Sequence, residues 1–220
     1  MIFKDRRDAG EKLAYKLAVH ANRDDLLVLA LPRGGVPVAY EVAKRLNAPL
    51  DVFLVRKPGV PGHEELAMGA IASGGTRVLN QDVVGPLKIG DETIEDVARV
   101  EQVELERREQ KYRGGRHGPS VEGRTVILID DGLATGATMR AAVEALRQQE
   151  PKELIVAVPV SSPETCAELR EEADVVVCAV TPRPFYGVGM WYTDFSQTTD
   201  EEVSRLLRAA SFTATEGRQS

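Results

Sequence analysis

The chain is poor in the residues that make cross-links and metal cages. Its 220 residues include two cysteines, Cys166 and Cys178, and three histidines, His20, His63 and His117, which stand apart from the cysteines and from one another. That spacing excludes a structural zinc site. Cys166 sits in a helical pattern and Cys178 in an apolar run, so both are expected to be reduced, structural thiols. No apolar run reaches the roughly 18 residues of a membrane span, and Met1 to Arg7 lacks the apolar core of a secretory leader. A cytoplasmic location is therefore expected. Positive charge is also in deficit: a net charge of −6 argues against non-specific nucleic-acid binding, although Arg107, Arg108, Lys111, Arg113 and Arg116 form a local basic cluster. Missing too is the Gly-Lys-Ser/Thr sequence of a Walker phosphate loop. No nucleophile or dinuclear metal cluster can be assembled for hydrolysis of a phosphate ester.

What the chain does have is the stretch from Val126 to Met139. Val126 to Ile129 is unbroken aliphatic sequence, the signature of a strand buried on both faces of a parallel sheet. It ends on two adjacent acids, Asp130 and Asp131. A loop of small residues follows, Gly132-Leu133-Ala134-Thr135-Gly136-Ala137-Thr138, and then a helix-forming run from Met139 to Arg147. Small residues let backbone N–H groups converge, threonines add hydroxyls, and the helix contributes the positive end of its dipole. These features together make an anion cradle. Two acids beside it would repel a bare phosphate, so they are suited to holding something else, such as the hydroxyls of a sugar or a magnesium ion. A sugar phosphate satisfies both halves.

This stretch resembles the 5-phosphoribosyl 1-diphosphate (PRPP) motif of the type I phosphoribosyltransferases, in which apolar residues precede two acids and a short Thr/Gly loop. The resemblance implies that Asp130 and Asp131 approach the 2- and 3-hydroxyls of the ribose and that Ala134, Thr135, Gly136, Ala137 and Thr138 wrap the 5-phosphate. A second strand, Leu26 to Leu31, runs into Pro32-Arg33-Gly34-Gly35 and a helix from Val36 to Leu46. This repeats the strand, glycine turn, helix grammar and suggests a second anion site at the same sheet edge. In the family this is the pyrophosphate loop, with Gly34 and Gly35 giving backbone access and Arg33 a counter-charge. Leu50 to Val55 reads as the next strand, followed by Arg56-Lys57. Adenine and orotate phosphoribosyltransferases carry a similar pair, which would bring Lys57 to the diphosphate as a catalytic cation.

The rest of the chain fills in the fold. Asp5 to His20 reads as an amphipathic helix. Residues 61–119 leave simple alternation, with a hairpin around Ser73-Gly74-Gly75-Thr76 and a long charged helix from Asp91 to Tyr112; the family carries a lid here. This insert is longer than such lids, so its helical part is a candidate oligomer contact or hood. Leu154 to Val160, Pro163 to Glu172 and Val175 to Val180 read as strand, helix and strand. The expected fold class is thus α/β, a parallel sheet of about five strands with helices on both faces. Residues 1–210 form one domain, with 61–119 as lid or insert, 181–199 as hood and 211–220 as a disordered tail. Thr198 to Glu202 looks like a helix start, with Val203 to Ala210 as the final helix.

Aromatic residues gather after the last strand, where purine-type members of the family place a hood over the base. Phe185, Tyr186 and Trp191 are candidates to stack a planar acceptor, and Asp194 is a candidate to touch diphosphate or metal. The implied reaction joins a nitrogen acceptor to C1 of the ribose as magnesium-bound diphosphate leaves. Mg2+, carried mainly by PRPP, is the expected cofactor. PRPP and a small-molecule acceptor are the expected partners, and a homo-oligomer the expected assembly. Enzymes acting on 6-oxopurines have an acid where this chain has Ala134, which sets the motif nearer the adenine and orotate versions. A PRPP-sensing regulator of the same fold is the alternative function.

Overall fold

The computed structural model describes residues 2–216. It begins with helix α1 (Arg6–Lys16), whose first turn is capped by the Asp5 carboxylate accepting the Asp8 N–H. Strand β1 (Leu26–Ala30), helix α2 (Gly35–Leu46) and strand β2 (Leu50–Val52) follow. Five short strands then lie outside the main sheet: β3 (Val55–Arg56), β4 (Gly59–Val60), β5 (His63–Ala67), β6 (Gly69–Ala72) and β7 (Thr76–Leu79). Helices α3 (Gln81–Leu87) and α4 (Asp91–Arg113) lead back to the main sheet. There β8 (Thr125–Ile129), α5 (Ala137–Arg147), β9 (Glu153–Val160), α6 (Pro163–Leu169) and β10 (Val175–Val180) alternate, before α7 (Asp200–Glu216).

The main sheet holds five strands in the order β10-β9-β8-β1-β2, all parallel, with helices on both faces, as the alternation of the sequence leads one to expect. Every residue of β1 and β8 is buried. Period-two alternation then deals their side chains to two cores. Val28, Ala30, Ile127 and Ile129 pack with α1, α2 and α7, while Leu27, Leu29, Val126 and Leu128 pack with α5. The chain runs from β1 outward to β2 and returns to β8 on the opposite side of β1, so the strand order reverses between β1 and β8. Loops leaving two such neighbours diverge and open a crevice at the carboxyl ends of the strands. The loops that leave there are Pro32-Arg33-Gly34-Gly35 and Asp130 to Gly136.

Several boundaries differ from the sequence reading. Leu50 to Val55 is not one strand: β2 stops at Val52, and β3 pairs antiparallel with β6 instead. The chain crosses over at Phe53 and Leu54, where Phe53 N–H still bonds Ala30 O while Leu54 N–H bonds the Ser73 hydroxyl. The hairpin expected around Ser73 to Thr76 is β6 and β7. Helix α1 ends at Lys16, with a separate 3-10 turn at Ala18–His20, and α6 ends at Leu169 rather than Glu172. The final helix starts at Asp200 and runs through Glu216, across part of the stretch expected as a tail; residues 217–220 lie outside the described ones.

The cysteines are a further correction, since Cys166 and Cys178 form a disulfide in place of the expected free thiols. Helix α6 packs beside β10, which brings two residues 12 apart in sequence to a Cα separation of 6.7 Å. The basic cluster is largely neutralised by carboxylates: Arg107 and Arg108 on Glu104, Lys111 on Asp200, and Arg113 on Asp51 and Glu109. No helix among the described residues is long and apolar enough to cross a membrane.

Candidate functional site at the switch point

The two loops meet in space through glycines. At Gly34 an added Cβ would overlap the Asp131 carboxylate, and at Gly35 it would come within 2.7 Å of Ile129 O and 3.0 Å of Asp130 Cα. Both glycines are thus required by close approach, which seats the Pro32 to Gly35 turn directly on the acid pair. Leu31 N–H bonds Ile129 O at 2.8 Å and closes the join from the strand side. The Pro32–Arg33 peptide is cis.

Asp130 and Asp131 follow β8 side by side, with Asp131 N–H donating to Asp130 Oδ1 at 2.8 Å. Burial, and then the neighbouring Asp131, push the Asp130 carboxyl well above the usual carboxylate range. Burial raises Asp131 as well, opposed by its ion pair with Arg6. Arg6 Nε lies 2.7 Å from Asp131 Oδ2, and the Tyr192 hydroxyl donates to Asp131 O at 2.6 Å. An acid pair largely covered by protein, with one member tied to a cation, can accept hydrogen bonds from sugar hydroxyls in its ionised form.

Beyond the acids the loop is pinned at its margins. Leu133 N–H bonds Val160 O, the Thr165 hydroxyl donates to Ala134 O at 2.9 Å, and Arg140 Nη2 donates to Thr135 O. Gly136 has φ +71°, and a Cβ there would meet Thr165 Cγ2 at 2.7 Å, so only glycine fits. Ala134, Thr135, Ala137 and Thr138 are exposed around this turn, at the amino end of α5. Helix amides and the dipole there favour an anion. The five residues expected to form the phosphate cradle are thus brought together.

The other expected residues are placed as follows. Arg33 is exposed beside the acid pair, with Nη1 3.9 Å from Asp200 Oδ1 at the start of α7. Asp200 also accepts from Lys111 Nζ at 2.7 Å and from the Tyr112 hydroxyl at 2.6 Å, so the ends of α4 and α7 border the Pro32 to Gly35 turn. Lys57 is exposed and lines an open cavity of about 590 Å³ with Ala137 and Arg140, on the α5 flank of the cradle. Phe185 and Trp191 pack against a cluster of Phe3, Ala9, Val160 and Tyr192, and Trp191 Nε1 is buried without a partner. Tyr186 is 81% exposed and presents the freest aromatic face of the three. Asp194 is exposed, and its carboxylate accepts the Ser196 N–H at 2.9 Å, which holds its pKa below the usual carboxylate range. Among the described residues no three His, Cys, Asp or Glu side chains gather to hold a metal by themselves.

Sequence reasoning missed Arg6, Tyr192 and Phe195. Phe3 N–H bonds Trp191 O, Thr193 N–H bonds Phe3 O and Asp194 N–H bonds Lys4 O, so the N-terminal residues run alongside the hood strip. This pairing sets Arg6, one turn later, against Asp131. The contact spans 125 positions, and no local pattern around Arg6 announces it.

The family described as "Phosphoribosyl transferase domain" matches residues 3–190. A Mycobacterium tuberculosis protein with the name "Putative phosphoribosyl transferase" is 46% identical over 209 residues, covering 95% of this chain and 47% of that protein. The chain therefore spans about half the length of the curated relatives of which this is one. A ribose-phosphate pyrophosphokinase of Methanopyrus kandleri is 30% identical over 203 residues, 85% of this chain and 64% of that one. The crystal structure of the protein TT1426 from Thermus thermophilus shares 44% identity, covers 94% of this chain and 98% of its own, and superposes with a TM-score of 0.82.

Proposed function

The chain belongs to the phosphoribosyl transferase domain family, and from that premise we propose that it transfers the 5-phosphoribosyl group of PRPP to a nitrogen acceptor, releasing diphosphate. The observation that carries the reading is the convergence at the β1/β8 switch point. An acid pair, a glycine turn seated on it and an anion cradle stand side by side, as a ligand with a sugar between two phosphate groups requires. The acids receive the ribose hydroxyls, Ala134 to Thr138 take the 5-phosphate, and Arg33, Gly34 and Gly35 face the diphosphate. Lys57 serves the diphosphate only if the β3 to β5 segment carries it across from the flank, which is its proposed part as a lid.

In this reading the acceptor nitrogen bonds C1 while the C1–O bond to diphosphate breaks and diphosphate leaves with the electron pair. Catalysis rests on positioning, and positive charge on the ring is stabilised by fixed groups rather than by a covalent protein intermediate. Mg2+ fits such a site, since it keeps several waters and binds through one or two carboxylates plus substrate phosphates; Asp194 is the carboxylate proposed for it. When bound, the ion neutralises charge on the departing diphosphate. Tyr186 is the proposed stacking surface for a planar base.

The alternative reading is a PRPP sensor without transfer, which would keep the same crevice and motif. Diphosphate release from PRPP and Mg2+ decides between them, measured across adenine, guanine, hypoxanthine, xanthine, orotate and uracil. Release with one base establishes transfer and its acceptor. Binding of PRPP with no release across the panel favours the sensor.

A further inference from the structure

Arg6 is tied on three sides in a way that stability alone does not require. Its Nε donates to Asp131 Oδ2 at 2.7 Å, its Nη1 donates to Ser196 O at 2.6 Å, and its guanidinium carbon sits 4.0 Å from the Phe195 ring centroid. The Tyr192 ring stacks against Phe195 at 5.0 Å, and its hydroxyl donates to Asp131 O, so Asp131 is gripped from side chain and backbone by one assembly. Arg6 and Asp131 side chains are only 12% and 15% exposed. Nearly buried ion pairs give little net stability against well-packed apolar residues, because desolvation offsets the attraction. Such a pair at the rim of the crevice points to a role there rather than to stability alone.

We infer that Arg6 is a positioning residue of the sugar site: it fixes the Asp131 carboxylate and fastens it to the Tyr192–Ser196 strip, making helix α1 and the hood parts of one ribose grip. The inference rests on the reading of Asp130 and Asp131 as ribose ligands. Arg6 engages one oxygen of Asp131, and a carboxylate has further lone pairs with which to receive a sugar hydroxyl. That reception needs the ionised form. The groups facing Asp131 are Asp130 from its own strand end, the Tyr192 hydroxyl from the strip and Arg6 from α1; Asp194 on the strip feels the charge of Arg6, and Arg33 of the glycine turn is directed to Asp200. Arg6 is the cation that opposes the effect of burial on Asp131.

The fork of the guanidinium also sets orientation. Nε and Nη1 point in fixed directions, one to the acid and one to the strip, whereas an ammonium would supply charge without that geometry. Arg6 is therefore distinguishable from a residue that merely glues α1 to the domain.

The test is calorimetric titration with Mg2+ and PRPP, and separately with Mg2+ and inorganic pyrophosphate, on the full chain and its Arg6→Gln, Arg6→Lys and Asp131→Asn variants. Thermal unfolding checks the fold of each. Arg6→Gln is expected to weaken PRPP about tenfold or more, the loss of one charged hydrogen bond, while leaving pyrophosphate within about twofold. It moves the acid limb of the PRPP-binding profile to higher pH; Arg6→Lys keeps that limb and recovers part of the affinity. In an Asp131→Asn background, Arg6→Gln adds nothing further. Equal loss of PRPP and pyrophosphate, an unmoved acid limb, or unchanged PRPP affinity overturns the inference. If Arg6→Gln unfolds, Arg6→Lys alone decides: several-fold weaker PRPP with unchanged pyrophosphate supports the role, and unchanged PRPP overturns it. A parent chain that does not bind PRPP, or an Asp131→Asn variant that binds it equally, instead overturns the ribose reading beneath it.

Discussion

Replacing Gly34 by alanine isolates the contact on which the site is built. Gly34 has φ −61° and ψ −31°, so the backbone accepts an alanine without strain and gains up to about 1 kcal/mol in lost unfolded-state freedom. The added methyl, however, would overlap Asp131 Oδ2, lie 2.6 Å from its Cγ and 3.2 Å from Arg6 Nε. Ordinary carbon contacts are about 3.5–4.0 Å, so the carboxylate retreats by roughly 1 Å. That movement breaks the Arg6–Asp131 bond and takes the acid out of register with a sugar hydroxyl. Overpacking of this kind costs about 1–3 kcal/mol of stability, partly offset by the backbone gain. The lost charged hydrogen bond to ligand costs a further 1.5–3 kcal/mol, or roughly 10- to 150-fold in Kd for PRPP. Calorimetric titration of Gly34→Ala with Mg2+ and PRPP reads this directly. Gly85→Ala, where nothing lies within 4 Å of the added Cβ, is the control. A Gly34→Ala variant that binds PRPP as the parent does would refute the close seating of the glycine turn on Asp131 as a functional feature.

Other perturbations test separate parts of the structure. Asp130 has a raised native pKa, so the native state takes up its proton before the unfolded chain does; this group's contribution to stability improves as pH falls through the native value and is complete below the unfolded value near 3.9. Asp130→Asn should accordingly raise the melting temperature at neutral pH, by about 2–4 °C for each kcal/mol relieved, while reducing PRPP affinity; a lowered melting temperature contradicts the buried-charge account. The parent chain should lose PRPP affinity on acidification at a pH above the ordinary carboxylate range, measured by titration across pH. Arg113 bonds Asp51, Glu109 and Val52 O with its side chain 8% exposed. Arg113→Ala strands the buried Asp51 carboxylate, so urea unfolding should show a loss of about 3–5 kcal/mol, and a loss under about 1 kcal/mol would refute the anchoring of α4 through this residue. With Cys166 and Cys178 joined, denaturing alkylation without reductant should leave the intact mass unchanged; addition of two alkyl groups would return both residues to free thiols.

The fold was legible where local chemistry and tertiary position coincide. Leu26 to Ala30 and Val126 to Ile129 are all apolar because both faces of a central parallel strand are covered. Each ends on residues that no core would keep, Arg33-Gly34-Gly35 and Asp130-Asp131, which marks the ligand edge of the sheet. The long charged helix was legible as well, but its ion pairs follow the fold as much as the spacing: Glu104 meets Arg108 one turn on, while Glu95 reaches across to Arg77. What was not legible depends on chain crossings. Apolarity of Leu50 to Val55 does not say that the chain changes sheets at Phe53, and the 12-residue spacing of the cysteines does not say that α6 lies on β10. Arg6 reads as one charge on an amphipathic helix until Phe3 and Lys4 are paired with residues 191–194. The crevice at this sheet edge is assembled from three distant segments, of which only two carry a recognisable local pattern.

The most direct test of the central claim is the affinity of Mg2+ and PRPP for the chain, beside an Asp130→Asn, Asp131→Asn double variant whose circular dichroism matches the parent. The account predicts saturable binding by the parent and loss of at least about two orders of magnitude in the variant, the cost of two charged hydrogen bonds. Equal affinity in both, or no binding by the parent, would contradict the assignment of the β1/β8 crevice as a phosphoribosyl site.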